Sequence, residues 1–549
     1  MFELKSVYFY FLALQISFIK LIKKIYFTTN IYKRSLETKI PQQFYFNPNP
    51  FLLTSITNYK NYSFKISEIN PNIFWTNKKN INEEKSRHSF LWLNLIDRKN
   101  DGQSLQKIID LWILKNNKFK KNIWESSVLS KRIISWILNV EIILKNGNFY
   151  FKKNFLHSII MQTNHLKKNI KYEKDQSKRI EILTALIVSG LVFKEYEENF
   201  HIGIRELEKL VKNFYDQDGF PLTRNPDDLL YFVKYLILCK ECIKDAQKYV
   251  PEFLDATIEK NLSCLKNVLS PNSQVPLFNG GKEVQIETFN KFLNQLEYGS
   301  KVKKNKVGDI FVFSFKKNSI FFDVGAPPRK DFSRSYQSGP LSFEYYLNGE
   351  KIITNCGFGS SISSKAELLS RLTSAQSTLT LNDTSVTKFE RIRLINKIFG
   401  NSIKNTFKIS NLHTSEDKQT TKFIASHNGY YKLFKCIHKR ELTFDKLNES
   451  LIGCDKILKQ KDGKPTNFSL RFHLYPGLNA IKTMSGNSIL IQINKNKSLI
   501  FSTNETSVIL EKGLFLARNK ILNNTCITIS GNLVNDSKTI HWEIKKKLS

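Results

Sequence analysis

The stretch that decides the fold of this 549-residue chain is LSFEYYLNGEKIITN, residues 341–355. Its two halves have the aromatic and β-branched side chains and the two-residue period of strands. Between them lies Asn348-Gly349, a pair that favours the positive φ angles of a two-residue hairpin turn. The stretch therefore predicts an antiparallel β-hairpin.

Runs of the same period begin at about Val302 and recur to the end of the chain. They are DIFVFSFKKNSIFFDV (309–324), STLTLND (377–383), TNFSLRFHLYP (466–476), SILIQINKNKSLIFST (488–503) and CITISGNLV (526–534). Strands at this density predict a large antiparallel β-sandwich domain of two packed sheets over residues 299–549. The polar, basic stretch YGSKVKKNK (298–306) is typical of a linker.

The preceding part, from about His88 to about Tyr298, has apolar residues at the three- and four-residue spacing of helices. The clearest segments are SLQKIIDLWILKNN (104–117), SKRIISWILNVEIILKN (130–146), KNFLHSIIMQTNHLKKN (153–169) and LTALIVSGLVFKEYEENF (183–200). Short turns between such helices predict antiparallel pairs. We expect residues 86–298 to form a helical array or an incomplete α/α toroid, in an α+β multidomain chain.

Residues 1–85 are expected to form an arm on the helical domain. Two turns rich in Pro and Asn, FNPNPF (46–51) and INPNIFW (69–75), lie between short strand-like runs.

Near the start of the chain, Ser6–Ile19 is an uncharged run of 14 residues. The run is too short to cross a bilayer, so we expect no integral membrane span. Lys20, Lys23 and Lys24 follow it. The segment is either the core of a signal peptide or a basic amphipathic helix that packs on the protein or on a membrane surface.

The charge balance is strongly basic, since 84 Lys+Arg against 49 Asp+Glu give a formal net charge of +35. This surplus favours polyanionic partners such as acidic polysaccharide, nucleic acid or an anionic membrane. Lysine supplies 69 of the 84 cations and they are spread along the chain, so a coding bias explains the surplus equally well. No recognised nucleic-acid module accompanies the charge, and we expect no nucleic-acid partner.

Neither the cysteines nor a search for common enzyme motifs indicates a metal site or an active site. Seven cysteines are too few for a disulfide scaffold, and we expect free thiols. Cys239 and Cys242 lie close together on a predicted helix, without the second pair that a zinc site needs. Signatures of phosphate-binding loops, zinc proteases and serine-hydrolase elbows are absent from the sequence. None of the nine histidines lies between positions 202 and 412.

Five segments, in this order, resemble the motifs of the bacterial branch of the heparinase II/III-like polysaccharide lyases. They are SKRIEILTALIVSGLVF (177–193), DQDGFPLTRNPDDLL (216–230), VPLFNGG (275–281), SRSYQSGPLSFEYYLNGEKIITNCG (333–357) and SAQSTLTLND (374–383). The order and spacing carry the resemblance, which extends over most of the chain from about residue 85. It implies a helical toroid followed by an antiparallel β domain.

The resemblance also implies a reaction, the β-elimination of a uronic acid within a polysaccharide. One group neutralises the sugar carboxylate, a base removes the C5 proton, and an acid protonates the leaving glycosidic oxygen. The family typically uses Asn or His as the neutralising group and Tyr and His as base and acid. A subset adds a structural zinc held by His, Asp and His.

In the helical half, the chain departs from the family pattern at the reacting positions. Ser177 and Lys178 stand where the family has Asn-His, and Asp228 stands where the family has Tyr. Tyr231 follows Asp228 by about one helical turn.

In the β half, the zinc-ligand positions are also substituted. The two histidines of the family's H-x-H correspond to Ser335 and Gln337, the signature Asp to Asn355, and the later His to Gln376. Neutral amides are poor zinc ligands, so we expect no metal and no other cofactor. The amides are expected either to form a structural network or to line a sugar-binding cleft.

Elimination can survive these changes if amides or arginines neutralise the carboxylate and a Tyr or Lys with a lowered pKa acts as base. The candidate catalytic residues are Tyr336, Gln337, Arg224, Tyr231 and Lys178. The candidate substrate-binding residues are Arg334, Asn355, Gln376, Arg371 and Glu344.

Two functions stay open at this point. The first is a lyase that cleaves an acidic, uronate-containing polysaccharide in a cleft between the helical and β domains. The alternative is a weakened or inactive relative that binds envelope or capsule polysaccharide. The expected compartment is the periplasm or cell envelope, with the cytoplasm still open. The sequence does not specify the polysaccharide or the oligomeric state.

Overall fold

Helices occupy the first part of the chain, as the apolar spacing predicts. The computed structural model describes residues 4–57, 70–76, 80–99, 102–284, 286–299, 302–460, 463, 465–484, 486–533 and 537–547. Within them the first helices are α1 (Leu4–Phe27), α2 (Asn30–Leu36), α3 (Pro71–Thr76), α4 (Ile81–His88), α5 (Gly102–Asn116), α6 (Ser126–Leu138), α7 (Val140–Leu144), α8 (Phe149–Asn169), α9 (Gln176–Val192), α10 (Glu197–Phe214), α11 (Pro226–Asp245), α12 (Glu252–Val268) and α13 (Glu287–Gln295). Short 3₁₀ helices lie at Pro50–Ile56, Leu91–Leu95, Ile170–Tyr172 and Lys194–Tyr196.

Fully buried rings hold α5, α6 and α8 together. Trp112 and Trp136 pack edge to face with their centroids 5.2 Å apart. Phe155 of α8 lies 5.1 Å from Trp136. Ring pairs in this geometry stabilise a core beyond the area they bury.

The start of α9 is set by a capping residue. The Asp175 side chain accepts hydrogen bonds from the backbone N–H groups of Ser177 (3.1 Å) and Lys178 (3.4 Å). Asp at this position satisfies N–H groups that the helix itself leaves unpaired. From Ile180 to Val192 every residue of α9 is buried. Only the first turn of α9 therefore reaches solvent.

The prediction of short strands within residues 1–85 is wrong for the part that the structure describes. FNPNPF leads into the 3₁₀ helix Pro50–Ile56, and Asn49 caps it by accepting from the Phe51 N–H at 3.0 Å. INPNIFW likewise leads into α3. Asn favours the cap position and Pro the first turn of a helix, so Asn-Pro begins helices here. Residues 58–69 lie outside the described part.

The second half of the chain forms two antiparallel sheets. Its strands are β1 (Lys306–Val307), β2 (Ile310–Phe315), β3 (Asn318–Asp323), β4 (Phe343–Leu347), β5 (Glu350–Thr354), β6 (Leu379–Leu381), β7 (Ile409–Glu416), β8 (Thr420–His427), β9 (Cys436–Asp445), β10 (Ser450–Lys459), β11 (Thr466–Leu474), β12 (Asn479–Lys482), β13 (Ser488–Asn494), β14 (Lys497–Thr503), β15 (Val508–Phe515), β16 (Leu522–Leu533) and β17 (Lys538–Lys546). One sheet has the order β1-β2-β3-β4-β5-β11-β16-β15, with β6 on β11, and the other β12-β13-β14-β17-β10-β9-β8-β7. Short helices α14 (Ser364–Ser370), α15 (Arg393–Phe399) and α16 (Tyr431–Phe434), and 3₁₀ turns at Lys330–Phe332 and Thr373–Ala375, join them.

The two sheets share one apolar core, which confirms the predicted sandwich. Rings from opposite sheets meet there, with Phe313 4.9 Å from Phe444. The hairpin of β4 and β5 is also confirmed. Asn348 (φ 53°) and Gly349 (φ 85°) form its turn, in the left-handed region that Asn and Gly tolerate.

The chain divides into two compact units. The helical unit comprises Met1–Tyr215, Leu230–Leu262 and Ile286–Gly299. The β unit comprises Asp216–Leu229, Ser263–Gln285 and Ser300–Ser549. Two segments that precede residue 299 thus group with the strands. The predicted domain limits at 85 and 298 stay predictions, and residues 300 and 301 of the proposed linker lie outside the described part.

Two further sequence expectations concern membrane spans and thiols. Within the described ranges, no helix combines the length and apolar character that crossing a bilayer requires. All seven cysteines are free and buried. Cys239 and Cys242 lie on α11, where Cys239 donates to the Thr184 hydroxyl at 3.3 Å.

Candidate active site

Glu125, which precedes α6, binds two lysines of the helical unit. Lys178 Nζ lies 2.9 Å from its Oε1, and Lys85 Nζ lies 2.5 Å from its Oε2. Burial alone would raise the pKa of Glu125, but the two lysines outweigh it and lower that pKa. Burial would likewise lower the pKa of Lys178, but Glu125 outweighs it and raises that pKa. Glu125 and Lys178 are therefore both charged near neutral pH.

Glu181 lies one helical turn after Lys178 on α9 and is buried. Tyr231 of α11 donates its hydroxyl to Glu181 Oε1, and Lys131 of α6 lies 2.8 Å from the same oxygen. The Tyr235 hydroxyl lies 3.5 Å from it. Oε2 of Glu181 has no hydrogen-bond partner among the described residues. We call Lys85, Glu125, Lys131, Lys178, Glu181 and Tyr231 the helical cluster.

The Tyr231 side chain supplies the hydroxyl of the helical cluster, and the residue is partly exposed. Burial raises its pKa well above the ordinary value for tyrosine, and the neighbouring Tyr235 and Glu181 raise it further. Tyr231 is therefore a neutral phenol whose proton points at a carboxylate.

The sequence analysis proposed two members of the helical cluster, Tyr231 and Lys178, and missed the other four. One signal for Glu181 was present. It is the acidic residue within the apolar run RIEILTALIV (179–188), and a buried carboxylate is costly unless it is paired. Its partners lie about 50 residues away in sequence, on helices whose packing no local pattern reveals.

In the β unit, Gln337 and Gln376 lie together at a backbone carbonyl. Nε2 of Gln337 donates to Ser370 O at 2.7 Å, and Nε2 of Gln376 donates to the same oxygen at 2.8 Å. Gln337 also donates to Gly357 O at 3.1 Å and accepts from the Gly280 N–H at 3.0 Å. Both amides thus bind backbone groups of the protein.

Asn355 and Glu344 lie in the same buried region. Oδ1 of Asn355 accepts from the Ser377 N–H at 2.9 Å. Oε1 of Glu344 accepts from the Thr354 hydroxyl (3.2 Å) and the Asn355 N–H (3.3 Å). Its Oε2 lies 2.8 Å from Lys351 Nζ, and the ion pair is fully buried. This carboxylate is neutralised inside the protein.

Arg224 forms a second buried ion pair in the β unit. One of its terminal nitrogens donates to Asp323, and the other donates to Ala326 O at 3.1 Å. Burial opposes the charge, but Asp323 outweighs it and raises the pKa of Arg224. A Cβ on Gly325 would lie 2.1 Å from the guanidinium, so only glycine fits beside it. Arg224 also adopts φ 59°, which is unusual for a non-glycine residue.

Arg371, Tyr336 and Arg334 differ in exposure. Arg371 is buried, and it donates to Tyr336 O and Ser333 O at 2.8 Å each, with its guanidinium 4.0 Å from the Phe389 ring centroid. Tyr336 is also buried. Burial raises the pKa of its hydroxyl, and the Asp323 carboxylate raises it further. Arg334 is exposed.

Eight of the ten candidate residues thus belong to the β unit, and seven of them are buried. The hydrogen bonds and ion pairs described above are made within the protein itself. Their placement argues against direct substrate contact for a buried set: Arg224, Tyr336, Gln337, Glu344, Asn355, Arg371 and Gln376. The structure groups the two candidates of the helical unit, Tyr231 and Lys178, with charged partners at partly exposed positions.

A family model matches the sequence of most of the second half of the chain. Residues 299–543 match the family model described as Heparinase II/III-like, C-terminal. The chain carries a heparinase II/III-like domain. This match confirms the resemblance found in the sequence motifs. No curated protein sequence matches the chain.

Solved structures share the fold of the helical half as well as that of the β half. The chain is 15% identical to a heparan sulfate lyase mutant from Pedobacter heparinus, with a TM-score of 0.64 over 91% of this chain and 82% of that one. A heparinase III gene product is 16% identical, with a TM-score of 0.64 over 90% of this chain and 83% of that one. Another heparinase III structure is 15% identical, with a TM-score of 0.63 over 90% and 84%. At this identity the shared property is the fold, a helical toroid with a β-sandwich.

The donor types at the amide positions of this heparinase II/III-like domain do not suit zinc. Gln337, Asn355 and Gln376 offer neutral amides, and no cluster of three or more His, Cys, Asp or Glu side chains with metal-binding geometry occurs among the described residues. Zinc prefers thiolate, imidazole and carboxylate ligands.

We expect neither zinc nor EDTA to shift the thermal unfolding midpoint by more than about 1 °C, because a ligand stabilises only the state it binds. Differential scanning fluorimetry checks this. The triple variant Gln337→His, Asn355→Asp, Gln376→His is the matched control, since it restores the donor types of zinc sites. Stoichiometric zinc in the purified wild-type protein would contradict the prediction.

Proposed function

We propose that this heparinase II/III-like protein cleaves an acidic, uronate-containing polysaccharide by β-elimination, at the helical cluster. One observation carries the proposal: the Tyr231 hydroxyl donates to the buried Glu181 carboxylate, beside the Lys131 ammonium. The fold shared with heparan sulfate lyases over about nine-tenths of the chain supports the reaction class. The net charge of +35 suits an anionic chain.

The lysines of the helical cluster can neutralise the uronate carboxylate. The side chains of Lys85, Lys131 and Lys178 are 36%, 24% and 34% exposed. Because its pKa is raised, Lys178 stays protonated and cannot act as the base. A cation paired with the sugar carboxylate stabilises the negative charge that develops when the C5 proton leaves. Lys178 therefore suits the neutralising role.

The base is Tyr231 acting together with Glu181. A free tyrosinate is disfavoured because the pKa of Tyr231 is raised. Glu181 removes this obstacle, since it can take the phenol proton while the phenol oxygen takes the C5 proton. Coupled transfer of this kind avoids an isolated phenolate in a buried site.

Tyr231 and Glu181 together account for every proton that moves in the reaction. The C5–H bond breaks, the C4–C5 double bond forms, and the C4–O bond to the leaving sugar breaks. The leaving oxygen takes the proton now held by Tyr231, and Glu181 returns its proton to Tyr231. The products are an unsaturated uronate and a free sugar hydroxyl, and both residues regain their starting states.

The second candidate function is polysaccharide binding without cleavage. It is favoured by Gln337 and Gln376, whose amides donate to backbone carbonyls in place of titratable groups. For either function, the substrate class makes the periplasm or cell envelope our proposed location.

A lyase assay separates the two functions. The purified chain is incubated with a panel of uronate polysaccharides, and the ultraviolet absorbance of the unsaturated uronate is followed with and without chelator. An increase that the chelator does not affect is the expected result. Retention of a polysaccharide on the immobilised protein without that absorbance would overturn cleavage in favour of binding.

A further inference from the structure

Helix α1 exposes a stripe of large apolar side chains. Its six members are Val7, Phe11, Leu14, Phe18, Ile22 and Ile25, all exposed. With about 100° between successive residues, they fall on one face of the helix. Scattered apolar residues are ordinary on a protein surface, but contiguous apolar patches of this kind mark binding surfaces. We call these six residues the outer stripe.

The opposite face of α1 packs on the helical unit. Ala13 is fully buried. Lys23 Nζ lies 2.8 Å from the centre of the Tyr172 ring. The Phe27 ring lies 5.1 Å from the Phe119 ring. The pattern is therefore inverted relative to an ordinary surface helix, because Ala13, Lys23 and Phe27 face the protein while the outer stripe faces solvent.

The charges around α1 favour a lipid surface over a second copy of the chain. Lys20 and Lys24 of α1 are also exposed. A net charge of +35 per chain opposes self-association and attracts an anionic surface. Apolar and aromatic residues beside lysines are the composition of helices that lie in the membrane interface.

We propose that α1 is an interfacial helix that inserts its outer stripe into the surface of an anionic lipid bilayer. The helix lies in the plane of the membrane, since 24 residues include several lysines and form no spanning segment. The exposed Lys20 and Lys24 add to the positive charge that attracts lipid phosphates. This role does not depend on the proposed lyase activity.

Vesicle flotation tests the proposal on the full purified chain. Wild-type protein is compared with the variant Phe11→Glu, Phe18→Glu, Ile25→Glu, whose three target residues are 61–64% exposed. The vesicles contain phosphatidylcholine alone or mixed with phosphatidylglycerol. Wild type is expected to float with the anionic vesicles, and the variant to bind them at least tenfold more weakly.

A matched control keeps the change of charge but moves it to the β unit. Leu447 and Ile481 are 81% and 60% exposed, and Met484 is fully exposed. Replacing all three by Glu lowers the net charge by the same amount. This control is expected to bind within twofold of wild type.

Three outcomes would overturn the proposal. The first is equal vesicle binding by wild type and the α1 variant. The second is wild-type binding that salt abolishes and the α1 substitutions leave unchanged, which would assign it to surface charge elsewhere. The third is a wild-type dimer in light scattering that ignores vesicles and becomes a monomer in the α1 variant, which would show that a second copy covers the stripe.

Discussion

Replacing Asp455 by alanine is expected to lower the free energy of unfolding by about 3–5 kcal/mol, because it leaves a buried arginine without its counter-ion. Asp455 lies on β10 and is fully buried. It accepts from Arg440 Nε (2.7 Å) and Trp542 Nε1 (2.8 Å), and it lies 2.7 Å from His438 Nε2. Arg440 also donates to Leu341 O at 2.7 Å, so the guanidinium cannot turn toward water.

Urea denaturation followed by circular dichroism measures the loss. Asp383→Ala is the matched control, because that carboxylate is 81% exposed and lies 3.4 Å from Arg471. An exposed ion pair contributes at most about 1 kcal/mol. A loss for Asp455→Ala as small as that of the control would show that Arg440 is satisfied without it.

The same carboxylate predicts a pH dependence. Burial would raise the pKa of Asp455, but Arg440 and His438 outweigh it and lower the pKa to about 2. An aspartate in the unfolded chain titrates near 3.8. Its contribution to stability is therefore complete above about pH 4 and is lost as the pH falls toward 2. The stability difference between wild type and Asp455→Ala should shrink over that range.

The second large effect is on catalysis. Replacing Tyr231 by phenylalanine is expected to lower kcat by about 10²–10⁴-fold, because it removes the group that carries the proton between C5, Glu181 and the leaving oxygen. Replacing Glu181 by glutamine removes the proton acceptor and is expected to reduce kcat as well. Initial rates of unsaturated-uronate formation over a range of substrate concentrations separate kcat from KM.

A second tyrosine–glutamate pair in the helical unit provides the control. The Tyr298 hydroxyl donates to Glu241 Oε1 at 2.5 Å, and Glu241 lies on α11, as Tyr231 does. Tyr298→Phe therefore removes a hydrogen bond of the same kind, and its kcat should stay within about twofold of wild type. A Tyr231→Phe protein with the wild-type kcat would remove the proton-transfer role from this residue.

Local patterns explain which parts of the fold were predictable. The β4–β5 hairpin followed from Asn348-Gly349, because the turn geometry depends on those two residues alone. The two-residue period identified the strands because it too is a local pattern, set by the alternation of side chains along each strand. The short strands predicted beside the turns at 46–51 and 69–75 were wrong within the described residues, because Asn-Pro begins a helix at both places.

The candidate site was predictable only in part. The motif positions identified Tyr231 and Lys178, but their partners Glu181 and Glu125 come from helices that meet only in the folded chain. The substitutions by amides were visible in the sequence. That Gln337 and Gln376 share the Ser370 carbonyl was not, because any residue offers that backbone atom.

The β unit includes two segments from the first half of the chain, Asp216–Leu229 and Ser263–Gln285. The two units therefore cannot be exchanged between proteins by a single cut in the chain. A cut at residue 299 would leave the β strands without both segments, including the Arg224 partner of Asp323. An isolated C-terminal fragment would therefore keep an aspartate buried without its counter-ion. Recombination that exchanges the second half of such a chain between relatives must therefore exchange these two segments as well. The two halves are expected to evolve together.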